Sequence, residues 1–190
     1  MITEQGFTDS AARIGCTVAA IKAVAEVESG GSGFLSSGAP VILFEPHIFW
    51  KRLKAHGVNP ASIAGAADIL YPTWKPGAYG PSSKQHGRLE RAAAIHRDAA
   101  LESASWGKFQ ILGMNWRSCG VESLQAFINA MYQSEDEHLK LFTGYIIRTG
   151  LDDELRELDW KGFARAYNGP LYWKNQYDVK LKKAYVKFTG

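Results

Sequence analysis

Apolar positions along this chain recur mostly at helical spacing. Residues 4–14 read as a short amphipathic helix closed by Gly15. In the next stretch, 18–28, Val18, Ile21, Ala25 and Glu28 are three, four and three apart, so they share one helical face. That face is apolar until its last member, Glu28. Thr17 is placed to cap the start of this helix, and Gly30 and Gly31 to stop it. The pattern then shortens. Phe34-Leu35 and Pro40 to Phe44 flank Ser36-Ser37-Gly38, which predicts a β-hairpin. In its second arm Val41, Leu43 and Glu45 share a face by the period of two. Pro46 ends that strand and suits the first turn of a helix over 47–55.

Helical spacing returns at 59–70 after Asn59-Pro60, at 84–102, at 121–148 with a break near Ser134, at 153–167, and at 171–188. Between them, residues 71–83 (YPTWKPGAYGPSS) are too rich in proline and glycine for a regular helix and read as a long loop. Tyr71, Trp74 and Tyr79 in that loop either stack on sugar faces or pin the loop to the body. Tyr167-Asn168-Gly169-Pro170 is a strong stop signal. The expected fold class is mainly α with one small β-hairpin.

Composition narrows this little. The chain has 190 residues, 46% hydrophobic and 22% charged, as expected of one globular domain over 1–190. A net charge of +3 suits an anionic polymer but gives no case for nucleic acid. The two cysteines, Cys16 and Cys119, have neither metal nor redox spacing. No apolar run is long enough for a transmembrane helix, and the opening MITEQGFTDS lacks the pattern of a signal peptide. Lys174, Lys180, Lys182, Lys183 and Lys187 against Asp178 make the tail basic. Such a helix either shows its solvated face or makes weak contact with an anionic outer membrane.

The candidate chemistry is carboxylate chemistry. A glutamate ending a buried apolar stripe loses water, which raises its pKa toward that of a general acid near neutral pH. The other reading of Glu28 is a helix-end side chain facing water. Glu26, four residues after Lys22 and on the opposite face, reads as half of an exposed pair. Glu45, at a strand-to-helix junction, either projects into a cleft or caps the following helix. Phe34, Trp106 and Tyr167 are candidate walls for a sugar groove. The histidines form no HExxH pair, and no GxSxG elbow is present, so zinc, serine and cysteine hydrolases are set aside.

Three segments, AVAEVESGGSGF with PVILFEPHIFW, SASWGKFQILGMNW, and FARAYNGPLYW, together resemble the phage-type N-acetylmuramidase domain of the lysozyme-like superfamily. The resemblance runs from about Phe7 to about Tyr185. It implies a lysozyme-like helical fold and cleavage of the β-1,4 bond between N-acetylmuramic acid and N-acetylglucosamine, with no cofactor. It implies that Glu28 is the catalytic acid and that Ser105, Gln110, Tyr167 and Asn168 line the saccharide groove. Glu45 is the candidate second catalytic carboxylate. The implied partner is the peptidoglycan glycan strand. The enzyme is expected to be a monomer, made in the host cytoplasm and active on the wall in the periplasm. A lytic transglycosylase, a non-catalytic glycan binder and a secreted antibacterial effector stay open at this level.

Overall fold

A computed structural model describes residues 1–28 and 31–190. Its helices are α1 (Glu4–Ile14), α2 (Val18–Glu28), α3 (Pro46–Ala55), α4 (Gln85–Ile95), α5 (Arg97–Glu102), α6 (Leu124–Gln133), α7 (Glu135–Thr149), α8 (Asp152–Glu157), α9 (Trp160–Asn168) and α10 (Tyr177–Thr189). Three short strands, β1 (Ile42–Phe44), β2 (Ala104–Trp106) and β3 (Ile111–Leu112), form one antiparallel sheet in that order.

α2 is the central helix. Thr17 Oγ accepts from Ala20 N at 3.1 Å, the expected cap. Ala20, Ile21, Ala23, Val24 and Ala25 are buried, because α1 covers one side of this apolar helix and α10 another. Gly31 follows at φ +135, while Gly30, also expected to help stop the helix, lies outside the described residues. The charge pairing differs from the local expectation. Lys22 Nζ reaches Glu4 at 2.7 Å and Glu26 is held by Lys187 at 2.7 Å. The two pairs thus tie α2 to α1 and to α10 instead of joining successive turns of one helix. The basic tail is accordingly a packed helix, with Leu181 and Ala184 buried.

The breaks in the other helices have local causes. Ser134 leaves helical geometry at φ −166, and its hydroxyl accepts from Glu137 N, so one helical hairpin becomes α6 and α7. The segment expected as one helix over 84–102 splits at His96, which turns extended at φ −159 and caps α5 through its ring. The segment over 153–167 splits at Leu158, in the left-handed region at φ +58. Over 59–70 only Pro60–Ser62 is helical, as one 3-10 turn. α7 packs against the 3-10 helix Gly113–Cys119 at Gly144, where a Cβ would stand 2.2 Å from the Cys119 carbonyl oxygen.

The small β element is present with different partners. The first predicted arm contributes one bridge, Phe34 to Pro40. β1 instead pairs with β2, Leu43 opposite Ser105, and β2 pairs with β3, Ser105 opposite Leu112. Ile42, Phe44, Trp106 and Ile111 point into the core. Leu43, Ser105 and Leu112 therefore share the other face, and the period of two adds Glu45 at its edge. Among the described residues no helix is long and apolar enough to cross a membrane.

Candidate active site

Glu28 is the last residue of α2, and Asn168 the last of α9. The two helix ends meet. Asn168 Nδ2 donates to both Glu28 carboxylate oxygens at 3.1 Å, across 140 residues of sequence. Around them lies a cleft of about 340 Å³, whose lining includes Gln110, Leu112, Asn115, Tyr145, Tyr167 and Tyr177. Burial pushes the Glu28 carboxyl up to about 7, against the opposing pull of the Asn168 hydrogen bond and the Lys180 charge. The negative ends of two helix dipoles act in the same direction as burial. Glu28 is thus held protonated over a good part of the neutral range and aimed into open space, as a proton donor must be.

Tyr167 supports this arrangement. Its hydroxyl donates to the Phe109 carbonyl at 3.0 Å, and its ring stacks on Phe163 with centroids 5.5 Å apart. That bond links α9 to the turn between β2 and β3. Gln110 sits in the same turn with φ +48 and donates from Nε2 to the Gly107 carbonyl at 2.8 Å. A non-glycine residue in the left-handed region costs on the order of 1–3 kcal/mol, and such strain concentrates where a side chain must be presented. Gly107 itself must be glycine. It has φ +66, and a Cβ there would stand 2.8 Å from the buried His138 ring.

Across the sheet face stands Glu45. Ser105 Oγ donates to its Oε1 at 3.2 Å and the Tyr79 hydroxyl to its Oε2 at 3.2 Å. The Tyr79 phenol, pushed up to about 12 by burial and by the Glu45 charge, remains a donor. Although Glu45 occupies the position before α3, its side chain makes no capping hydrogen bond. His47 Nε2 lies 3.7 Å from Oε2, and burial lowers its proton affinity. Leu112, opposite Ser105 on the same sheet face, lines the Glu28 cleft, so the face that carries Glu45 adjoins that cleft.

This arrangement has known counterparts. The N-acetylmuramidase family model matches residues 17–189. The chain belongs to the N-acetylmuramidase family. It is a peptidoglycan-cleaving enzyme. The crystal structure of a Burkholderia AP3 phage endolysin superposes with a TM-score of 0.91 at 38% identity, over 99% of this chain and 71% of that one. No curated protein sequence matches the chain.

Within this muramidase fold, Glu28, Gln110, Tyr167 and Asn168 come together in one cleft, and Ser105 stands beside Glu45 on the adjoining sheet face. Trp106 does not join them. It is 1% exposed, and its indole N–H donates to the Leu101 carbonyl at 3.0 Å, which leaves no ring face for a sugar. The reason is strand alternation: Ser105 is on the sheet face that carries Glu45, so its neighbour faces the core. Phe34 stacks on His138 at 4.9 Å, outside the cleft lining. Tyr145 and Tyr177, not singled out in the sequence, line the cleft from α7 and the start of α10. Their position in two amphipathic helices gave no sign of it. Among the described residues no group of three or more His, Cys, Asp or Glu side chains is arranged to hold a metal ion.

Asn168→Ala tests the electrostatics. Its amide favours ionised Glu28, so its loss raises the Glu28 pKa further. The alkaline limb of the pH–kcat/KM profile is expected to move up by about one unit, with lower activity at its plateau. A limb that stays in place would mean that Asn168 orients Glu28 without tuning it.

Proposed function

We propose that the chain hydrolyses the β-1,4 bond between N-acetylmuramic acid and N-acetylglucosamine, as an endolysin-type muramidase. The observation that carries this reading is Glu28: a carboxyl pushed up to about 7, held by Asn168 and facing the cleft. In the proposed reaction Glu28 donates its proton to the glycosidic oxygen as the C–O bond breaks. Positive charge then develops on the muramic acid ring in an oxocarbenium-like transition state. Glu45, fixed by Ser105 and Tyr79, orients a water toward the anomeric carbon and takes its proton. A water-activating carboxylate stands roughly 6.5–9.5 Å from the acid and a nucleophile roughly 5–5.5 Å. Gln110, Asn115 and the cleft tyrosines supply donors and flat faces for the sugars. The structural likeness to a phage endolysin supports action on the bacterial wall.

Mass spectrometry of products from purified Gram-negative peptidoglycan tests the reading. Hydrolysis yields reducing muramic acid ends. Anhydromuramic ends would replace it with a lytic transglycosylase, in which the sugar's own hydroxyl closes on the cation. Binding without cleavage would leave a glycan-binding domain. The pH profile follows from the same carboxyl. Because Glu28 acts protonated, kcat/KM is expected to fall about tenfold per unit as pH rises beyond its pKa of about 7. A rate that stays level to pH 9 would remove Glu28 from the acid role.

A further inference from the structure

On the far side of Glu45, the loop over 71–83 folds against α4 around a second cavity of about 710 Å³. Its charged lining is Lys75, Lys84, Arg88 and Arg91 against Asp68. Arg91 is committed to Asp68 through two bonds at 2.7 and 2.9 Å. Arg88 donates to the backbone carbonyls of Tyr79 and Asp68, which fixes its position, and no carboxylate makes a salt bridge with it among the described residues. Lys75 lies over the Tyr71 ring, 4.3 Å from the centroid. Among the described residues no salt bridge pairs Lys75 or Lys84 with a carboxylate. With Arg91 and Asp68 offsetting each other, Lys75, Lys84 and Arg88 give the cavity a net positive lining that suits an anion, beside an apolar wall of Tyr71, Ala67 and Ala78.

Tyr79 is a wall common to this cavity and the proposed groove. It lines the cavity, while its hydroxyl donates to Glu45. The glycan strand itself cannot use the charge, because its sugars are neutral and the lactyl carboxyl of muramic acid is tied up in an amide. The anionic part of peptidoglycan is the stem peptide hung on that lactyl group, with several free carboxylates and small methyl side chains. Leu112 of the Glu28 cleft lies opposite Ser105, which holds Glu45, and Glu45 in turn accepts from Tyr79, so one continuous surface runs from the cleft to the Tyr79 wall. Peptides recur once per disaccharide, so a strand lying along this surface carries them past the Tyr79 wall.

We propose that the cavity lined by Lys75, Lys84 and Arg88 binds the carboxylates of a peptidoglycan stem peptide and makes the enzyme selective for peptide-bearing glycan strands. This rests on the muramidase reading of the Glu28 cleft. The first test compares kcat/KM on soluble peptide-bearing strands and on the same strands stripped of peptide by an amidase, with the freed lactyl carboxyls capped as simple amides. The protein is expected to prefer the former by about tenfold, and Lys75→Glu with Lys84→Glu to bring the ratio close to one. Both lysines are exposed, so the substitutions spare the core. Should the double variant fail to fold, Lys75→Ala and Lys84→Ala each lower the ratio by about threefold.

The second test needs no cleavage. The free tripeptide of alanine, γ-linked glutamate and diaminopimelate is titrated calorimetrically into wild type and variant, and inorganic phosphate is titrated separately. Peptide binding weakened about tenfold in the variant supports the proposal. It is overturned by a ratio near one in wild type, by an equal loss on both kinds of strand, or by peptide binding that ignores the charge reversal. Phosphate binding as tightly as peptide would also overturn it, in favour of a phosphorylated wall or membrane component. If neither kind of strand is cleaved, the muramidase reading fails, and the titration alone decides the cavity.

Discussion

Glu28→Gln is expected to lower kcat on peptidoglycan by roughly 10²–10⁴-fold and to make the protein harder to unfold above neutral pH. The amide keeps the shape of the protonated acid and cannot give up a proton to the glycosidic oxygen. The stability effect follows from the same carboxyl. Its pKa is about 7 in the fold against an ordinary 4.5. A raised carboxyl pKa means that the folded chain holds the proton more tightly than the unfolded chain. Stability from this group is therefore full below about pH 4.5 and is lost as pH rises through about 7. At about 1.4 kcal/mol per unit, the loss above neutrality is on the order of 3 kcal/mol. Glutamine carries no charge to desolvate, so the variant escapes this loss. Urea unfolding at pH 8 should show it more stable by up to about 3 kcal/mol, with the gap shrinking to about 1 kcal/mol at pH 5. Equal midpoints at pH 8 would mean that Glu28 is not held against its own ionisation. Full activity in the variant would move the search for the acid to Glu45 and Glu26.

Trp106→Ala is expected to destabilise the protein by about 3–5 kcal/mol, the range for removing a buried aromatic from a core. The ring is almost fully buried, and its strand is paired with Ile42 on one side and Ile111 on the other. Its removal also leaves the Leu101 carbonyl without its indole donor. KM for peptidoglycan, measured on folded protein at low temperature, should change little. The opposite pattern, a rise in KM with a stability loss below about 1 kcal/mol, would return Trp106 to the groove wall. Ser105→Ala, one residue earlier, makes the contrast. It removes a donor to Glu45 and so is read in kcat instead of in unfolding.

Glu28 was legible in the chain because helical periodicity is local. Residues three and four apart share a face whatever the rest of the protein does, so the end of α2's apolar stripe marked a desolvated carboxylate. The caps at Thr17 and Gly15 and the stop at Gly169 were legible for the same reason. They follow from hydrogen bonding and backbone freedom within a few residues. The family resemblance supplied the groove candidates Gln110, Tyr167 and Asn168, which periodicity alone does not single out. Where a residue had a choice of distant partners, local pattern failed. Lys22 and Glu26 sit one helical turn apart, yet each pairs with another helix, because docking brought Glu4 and Lys187 within 2.7 Å.

The sheet shows the same division. Alternation over 104–106 says that Ser105 and Trp106 face opposite ways, but not which of them faces the core. Pairing decides that, and β1 found its partner in β2 instead of in the segment at Phe34. By itself the sequence determined a mainly helical chain, the place of Glu28 at the end of a buried apolar stripe, and the family. Tertiary structure alone decided that Asn168 closes on Glu28, that Ser105 and Tyr79 hold Glu45, and that Trp106 is core. Helical and strand periods are properties of the backbone within one element. Register and contacts across 140 residues are set only when the elements dock.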